Sequence, residues 1–572
     1  MSSTKKEQGK KVRKGLSESL IARVLGAPPK WTIAELEKKF PPRHAAVTDI
    51  SVISDNPVKL KKHFAPGGLP DGAMVTRVAP SPTGFMHLGT IYQAILDKKL
   101  AMQSGGVFVM RIEDTDTARE VPGALDIIMK CMREFGLTPN EGLEGGGAYG
   151  PYFQSERKDI YHSVAAELLE KGFAYPCFLS PDEMDEIRER QKAAGFPTGI
   201  YGEWARDRDL AEQEIAAKLD AGWVPSVRLY STGDKSRRIF CKDAVRGGVE
   251  CPENEEDIVI IKSTDGLPTY HFAHLVDDHF MRTTHVVRDA SYLSTFSLHI
   301  QMFKTIGWTP PIYIHTSTLD KIDEETGGQR KLSKRKDPEA SAVRFLEEGW
   351  PPEAVLEYLF NIINSSYEED RAKGKVKNIW DAELKIKKMP TSGALFDMKK
   401  LEWWAKEFIA ALPVGELVRR ATDWANEYGN DFNKKEIADV DYLRRILSIE
   451  RDNPKQIRKD FITWKQTLEE IAYFFDDFGA QVSDLKPNKD VLVKFLESFD
   501  SKDQKDLWWQ KIQNIAAELG IKNGDAAMAL RVALTGRTNT PDLYSIMQVM
   551  GAERVRERIS KAGLRTEERK TK

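Results

Sequence analysis

Arg77-Val78-Ala79-Pro80-Ser81-Pro82-Thr83-Gly84-Phe85-Met86-His87-Leu88-Gly89-Thr90 is the stretch on which the reading of this chain turns. Its start overlaps a short apolar run, Met74 to Val78, that reads as a buried strand. It runs on into Leu88, Ile91, Ile95 and Leu96 at helical spacing, so a helix is predicted from about His87 to Gln103, stopped by Gly105-Gly106. In open α/β sheets the crevice beyond a strand's C-terminal end is where ligands bind. The helix start adds unpaired N–H groups and a positive dipole end, which suit a phosphate. Gly89 permits close backbone approach, His87 can donate to a phosphate oxygen, and Pro80 and Pro82 stiffen the loop. A histidine at a helix start can equally act as a cap, so His87 to Thr90 alone decides nothing.

Working outward, Val107 to Ile112 reads as a second apolar strand and Val121 to Phe135 as a second helix. That β-α-β-α order predicts a Rossmann-like, doubly wound parallel sheet. Residues 154–268 mix helices (Ser155 to Leu169, Pro181 to Lys192, Leu210 to Asp220) with strands (Ser226 to Tyr230, Arg238 to Cys241, Asp257 to Lys262) and read as an α+β insertion. Parallel-sheet texture returns at His285-Val286-Val287, a helix over 291–305 and the strand Ile312-Tyr313-Ile314. Beyond 396 the pattern is all-α, with Tyr442, Leu443, Ile446, Leu447, Ile471, Phe474 and Phe475 at helical spacing. Residues 1–72 read as an appendage: a basic tail that is partly disordered, a short helix from Trp31 to Phe40, then irregular sequence. The expected division is 1–72, then 73–153 and 269–330 as two halves of one α/β domain around 154–268, then 331–395 and 396–572.

Composition excludes several classes. Of 572 residues 41% are hydrophobic and 30% charged, which is globular rather than disordered. No run approaches the roughly 18 consecutive apolar residues of a membrane span. The four cysteines, 131, 177, 241 and 251, form no CxxC pair, which argues against a Cys-rich zinc finger or a disulfide framework. The N-terminus lacks a signal peptide's apolar core and is rich in Lys (Lys5, Lys6, Lys10, Lys11, Lys14) rather than Arg, so a cytoplasmic protein is expected. The net charge of −2 hides two basic bands. One is Arg371, Lys373, Lys375, Lys377, Lys385, Lys387, Lys388, Lys399 and Lys400 against Asp381, Glu383 and Asp397; the other spans 551–572. Phosphate neutralisation is local, so such bands suit nucleic acid as well as solvated loops.

Three further blocks stand in line with the first: Arg111-Ile112-Glu113-Asp114-Thr115-Asp116, Leu267-Pro268-Thr269-Tyr270-His271-Phe272-Ala273-His274, and Lys331-Leu332-Ser333-Lys334-Arg335. Together the four resemble the glutamyl-tRNA synthetases, class I aminoacyl-tRNA synthetases of bacterial type. Order and spacing agree from about 73 to 395 and more weakly to 572. The first block looks like the family's "HIGH" signature and the last like its "KMSKS" signature. The resemblance implies ATP-dependent ligation of L-glutamate to tRNA-Glu through a glutamyl-adenylate, with an enzyme that also charges tRNA-Gln as the alternative. It implies ATP as a substrate accompanied by Mg, no zinc or other protein-held metal, no membrane, and a monomer. His87, Lys331 and Lys334 are its implied catalytic residues, and these with Gly89 and Thr90 its ATP-binding set. Arg77, Ala79, Ser81, Glu113, Tyr270, His274 and Arg288 are the implied glutamate pocket, with Arg77 for the side-chain carboxylate and Glu113 for the α-ammonium. By the same resemblance 154–268 binds the acceptor end, 331–395 holds the KLSKR loop and a stem-contact region, and 396–572, with Leu530 to Arg537, binds the anticodon.

The residue types suit that chemistry. Attack of a carboxylate on the α-phosphate of ATP needs no enzyme nucleophile, so positioning and charge stabilisation carry it. A glutamate pocket needs a fixed cation and an acid. Two departures stand out. After Arg288 the family reads a small residue, two acids and Trp or His, whereas this chain has Asp289-Ala290-Ser291-Tyr292; and Cys177 stands alone where some members hold zinc. Asp277-Asp278 reads as a solvated helix end. Rival readings are a metal–nucleotide-sugar site at Asp114-Thr115-Asp116, a non-catalytic tRNA-binding relative, and a small-ligand adenylyltransferase. The first leaves 77–90 unexplained; the last leaves the helical half and the Arg77/Glu113 pair unexplained.

Overall fold

The computed structural model describes residues 14–43, 68–333, 336–451, 457–475 and 487–568, with side chains to residue 562. The tail before Lys14, the irregular stretch 44–67, Lys334-Arg335 and the end of the C-terminal basic band lie outside the described residues. The chain divides into two compact units, 1–343 with 359–396, and 344–358 with 397–572.

The first unit opens with α1 (Glu18–Leu25) and α2 (Ile33–Lys39). Then come β1 (Val75–Val78), α3 (Leu88–Ser104), β2 (Val107–Met110) and α4 (Ala124–Glu134). β1 and β2 pair in parallel, with Arg77 opposite Val109. Parallel neighbours need a crossover, and α3 supplies it. Next are α5 (Lys158–Glu170), β3 (Ala174–Cys177), α6 (Pro181–Ala193), α7 (Glu212–Asp220), β4 (Ser226–Leu229), β5 (Arg238–Asp243), β6 (Gly247–Pro252) and β7 (Val259–Ile261). β3, β4 and β7 form an antiparallel sheet. α8 (Tyr270–Phe280), β8 (His285–Asp289), α9 (Phe296–Ile306) and β9 (Ile312–Thr316) follow, with β8 and β9 parallel. The order in that sheet is β6-β5-β9-β8. Thr284 donates its N–H to Val75 O at 2.9 Å, which sets β8 alongside β1. The parallel α/β texture expected at both ends of the unit is therefore present. β3 and β6 were not expected, and α9 begins only after a 3-10 turn over Ala290–Thr295.

Residues 14–43 are not a loose appendage. Leu20, Ile21, Val24 and Leu25 of α1, with Leu36 and Phe40, join one buried core with Ile160, Tyr161 and Val164 of α5 and Phe272, Val276 and Phe280 of α8. Each such side chain contributes about 1.5–3 kcal/mol when fully buried. Polar contacts fix the docking. Arg43 donates to both carboxylate oxygens of Glu141 (2.7 and 2.8 Å) and to Met281 O (3.1 Å), and lies 3.8 Å from the Tyr149 ring centre. Glu37 lies 2.6 Å from His279 Nε2 and accepts from Arg282, contacts that hold its carboxyl down at about 2.

The second unit is helical throughout its described residues from Met398 onward, as the periodicity predicts. Leu443, Ile446, Leu447, Ile471 and Phe474 lie in its core. Among the described residues no helix is long and apolar enough to cross a membrane. One buried group is at odds with its setting. Glu436 accepts from Asn433 Nδ2 at 2.9 Å through one oxygen, while the other has no partner, and burial pushes its carboxyl up to about 7. A folded-state pKa above the unfolded one favours the protonated form. Stability is thus full below the ordinary carboxylate range, falls as pH rises from about 4.5 to 7, and stays reduced above that. Glu436→Gln is expected to stabilise the protein by about 1–3 kcal/mol at pH 8 and by almost nothing at pH 4.5. Urea melts of both proteins at the two pH values test this; equal midpoints at pH 8 would refute it.

Candidate active site

Two buried carboxylates organise the end of β1. Asp278 Oδ1 accepts from Arg77 Nε (3.2 Å) and Arg111 Nη1 (2.7 Å), and Arg111 Nη2 donates to Glu113 Oε1 (3.1 Å). Asp277 accepts from Arg157 Nε (2.6 Å), Gln154 Nε2 (2.8 Å) and Tyr161 OH (2.8 Å). Asp277 and Asp278 are therefore not a solvated helix end; both are buried, and they anchor three buried arginines. The reason lies in α8: Tyr270, His274, Asp277 and Asp278 recur on one helical face. Burial pushes the Asp278 carboxyl upward, but the facing Arg111 and Arg77 outweigh it and hold it well below the usual range. Glu113 goes the other way: burial wins over Arg111 and Arg77, and its carboxyl is raised. An ammonium group beside Glu113 would supply the missing compensation.

Aromatic and imidazole rings line the neighbouring wall. Tyr270 and His274 are stacked 6.1 Å apart, and Tyr292 lies 6.0 Å from Tyr270. His274 Nδ1 is 2.7 Å from Asp278 Oδ2, and its Nε2 is 3.0 Å from Tyr313 OH. Burial holds this histidine down at about 4, so it is neutral. Arg288, near the end of β8, donates from Nε to His315 Nε2 and from Nη1 to His299 Nδ1, both at 2.9 Å, and its Nη2 has no partner. His315 Nδ1 meets Asp243 Oδ2 at 2.8 Å. Arg77, Glu113, Tyr270, His274 and Arg288 thus belong to one connected cluster. Asp243, Asp277, Asp278, His299 and His315 complete it and were not anticipated. Only the i, i+4 spacing of His274 and Asp278 could have signalled one of them.

The loop after β1 is tied down along its backbone. Arg111, Glu113 and Val121 donate N–H groups to Val78 O (3.2 Å), Pro80 O (3.0 Å) and Pro82 O (3.0 Å). This leaves Ala79 half-buried and Ser81 exposed at the rim. His87 caps α3: its Nδ1 accepts from Gly89 N–H at 2.8 Å, which puts the ring proton on Nε2. The cap reading and the phosphate reading are therefore compatible. Thr90 N–H donates to His87 O at 2.8 Å. A Cβ on Gly89 would stand 2.8 Å from His87 Nδ1, so the glycine is needed for the cap. If His87 meets the ATP phosphates as the resemblance implies, Gly89→Ala should displace it and lower the rate of adenylate formation roughly 10-fold, less than the loss of a whole charge-stabilising donor. The KM for glutamate should not change; a normal rate in pyrophosphate exchange would overturn the assignment.

Lys331 ends β11 (Gln329–Lys331), which pairs with β10 (Leu319–Ile322) across a turn where Gly327 takes φ 67°. Its Nζ donates to Asp289 Oδ2 (2.7 Å) and Ser291 Oγ (3.3 Å). The segment that departs from the family pattern thus holds the first signature lysine. Further on, Ala342 N–H donates to Met86 O at 3.0 Å and Ser341 bridges His87, so the first signature segment meets the chain a few residues beyond the last one. Lys334 lies outside the described residues. Asp114 accepts from Ser155 N–H (2.8 Å) and Oγ (2.5 Å), and Asp116 pairs with Arg119, so neither carboxylate supports the metal–nucleotide-sugar reading. Cys177 is buried in β3, and burial raises its thiol.

Residues 73–403 match the family model described as tRNA synthetases class I (E and Q), catalytic domain. The chain belongs to that family. Residues 416–563 of this synthetase match a second model, described as an anticodon binding domain. The synthetase is similar to the glutamate–tRNA ligase of Clostridium perfringens (strain 13 / Type A), 42% identical over 86% of this chain and 95% of that protein. The corresponding values are 43%, 87% and 95% for the glutamate–tRNA ligase of Acetivibrio thermocellus, and 38%, 90% and 99% for that of Sorangium cellulosum. The crystal structure of a glutamate tRNA ligase from Elizabethkingia meningosepticum, in complex with its amino acid, matches with a TM-score of 0.71 and 28% identity over 86% of this chain and 99% of that one. The synthetase is an aminoacyl-tRNA ligase of protein biosynthesis. Its family match begins at residue 73, so α1 and α2 precede it.

Proposed function

We propose that this synthetase joins L-glutamate to tRNA-Glu through a glutamyl-adenylate. The observation that carries this reading is the buried chain Arg77–Asp278–Arg111–Glu113 beside Arg288, whose Nη2 is unpartnered. It offers two guanidiniums to the carboxylates of a dicarboxylic amino acid and one carboxylate to its ammonium. In this reading Arg77 takes the side-chain carboxylate, Glu113 the ammonium, and Ala79, Ser81, Tyr270, His274 and Arg288 complete the pocket. A glutamate carboxylate oxygen then attacks the α-phosphorus of ATP and pyrophosphate leaves. In this reading His87 Nε2–H and Lys331 meet the phosphates, Lys334 is the second lysine of the set, Gly89 and Thr90 line the approach at the start of α3, and Lys331 exchanges Asp289 for phosphate. The 2′-hydroxyl of the terminal adenosine next attacks the adenylate carbonyl, releasing AMP. Magnesium accompanies the ATP phosphates; among the described residues no three His, Cys, Asp or Glu side chains gather as metal ligands.

The remaining assignments follow the same reading. Residues 154–268 grip the acceptor end, 331–395 carry the KLSKR loop and touch the stem, and 396–572 bind the anticodon. The enzyme acts as a cytoplasmic monomer. The similar proteins carry the glutamate–tRNA name, which gives no support to an added charging of tRNA-Gln. Charging assays with purified tRNA-Glu and tRNA-Gln, alongside tRNA-dependent pyrophosphate exchange, test the proposal. Glutamate should be incorporated on tRNA-Glu. Absence of both exchange and charging would leave a tRNA-binding relative without catalysis.

A further inference from the structure

Arg288 is held differently from the other arginines of the pocket. Arg77, Arg111 and Arg157 each pair with a carboxylate. Arg288 is equally buried, but its two bonded groups face the imidazoles of His315 and His299. The Tyr313 and Tyr292 rings lie 4.6 and 5.4 Å from its guanidinium carbon. Asp243 and Asp289, which stand at the edges of this network, are paired with His315 and Lys331 instead. Among the described residues no carboxylate forms an ion pair with Arg288.

Chemistry fixes the protons here. A guanidinium has only N–H donors, so the imidazole nitrogens that face it, His315 Nε2 and His299 Nδ1, must carry lone pairs. The His315 proton sits on Nδ1, towards Asp243, and the His299 proton on Nε2, 2.9 Å from His271 Nδ1. Both rings are neutral. Burial, with the Arg288 charge nearby, keeps both imidazoles below their usual range. A carboxylate at either place would hold the guanidinium as firmly but would cancel its charge. A neutral acceptor fixes direction and leaves the charge available.

We infer that His299 and His315 are positioning residues that aim Arg288 Nη2 at a carboxylate of the amino-acid substrate while leaving its positive charge uncancelled. The inference rests on the reading of Arg288 as a glutamate-binding residue. It goes beyond that reading in assigning roles to two histidines that touch no substrate, and in requiring them to be neutral.

The test compares isosteric replacements in the full chain, by calorimetric titration of L-glutamate and by the glutamate KM in pyrophosphate exchange. His299→Asn keeps an acceptor where Nδ1 stands and should bind glutamate within about threefold of the unmutated protein. His299→Asp has the same shape and is a stronger acceptor, yet it should bind at least ~30-fold more weakly, because it neutralises Arg288 and repels the substrate. His299→Leu, which removes the acceptor, should weaken binding about 10-fold. ATP affinity should be alike in all three. A merely structural role would not separate Asn from Asp, so equal affinities for those two would overturn the inference, as would normal binding by His299→Leu. Arg288→Gln separates the two levels of the argument. If it binds glutamate normally, the pocket reading itself falls; if it loses binding while the His299 variants do not, only the inference falls. Should the variants fail to fold, histidine 15N spectra of the unmutated chain at pH 6 decide. Both rings should be neutral with bare nitrogens at His299 Nδ1 and His315 Nε2, and an imidazolium at either would overturn the assignment.

Discussion

Asp278→Ala is expected to cost about 3–5 kcal/mol of folding stability, because it leaves two buried guanidiniums without their shared carboxylate. Asp278 Oδ1 serves both Arg77 and Arg111, and all three groups are buried. Water cannot replace the lost charge there, so the penalty is that of an uncompensated buried cation rather than of one surface ion pair. Asp278→Asn keeps an acceptor and the shape but not the charge, and should fall between the two. Urea denaturation of the three proteins measures this. A change below about 1 kcal/mol for the alanine variant, the scale of an exposed pair, would show that the carboxylate does not hold the network together.

Arg77→Ala should spare the fold more and damage catalysis most. Asp278 keeps Arg111 as a partner, and His274 Nδ1 remains 2.7 Å from its other oxygen. On the proposed pocket, what is lost is the cation for the substrate's side-chain carboxylate. Removing one partner of a desolvated charge pair costs about 3–5 kcal/mol, or roughly 10²- to 10³-fold and more in kcat/KM for glutamate. ATP and tRNA affinities should be unchanged. Arg77→Lys should rescue little, since an ammonium cannot donate to Asp278 and to a carboxylate through one planar fork. Near-normal kcat and KM for glutamate in the alanine variant would remove Arg77 from the pocket.

The parts of this molecule that were legible in its sequence are those where a local pattern has one structural solution. Leu88, Ile91, Ile95 and Leu96 admit a helix, and Gly105 ends it in the left-handed conformation the helix stop requires. β3 was missed because Ala174-Tyr175-Pro176-Cys177 is buried on both faces and contains a proline, so it shows no alternation. α1 was missed because its apolar residues, only eight positions long as a helix, follow a lysine-rich tail, and their partners on α5 are more than a hundred residues away. The same limit governs the site. Arg77 and Glu113 sit in recognisable blocks, and Arg288 directly precedes a segment with a family pattern of its own. Asp243, His299 and His315 sit in none; their role exists only once β5, α9 and β9 bring them to Arg288. Asp277-Asp278 was misread for a related reason. Charge alone suggests solvent, and only the arrival of Arg77, Arg111 and Arg157 makes burial affordable.

The docked N-terminal segment bears on where this chain can be cut. A fragment beginning at residue 73, where the family match starts, would keep every pocket side chain yet lose Arg43 and Glu37. Among the described residues Glu141 would then keep only Tyr152 OH, 2.8 Å away, as a side-chain donor, and His279 near the end of α8 and Arg282 just beyond it would lose the Glu37 carboxylate. The same helix carries Tyr270 at its start, His274 one turn on, and Asp278 directly before His279. For this chain, the span that a family alignment recognises is shorter than the span that must be expressed for α8 to stand as it does.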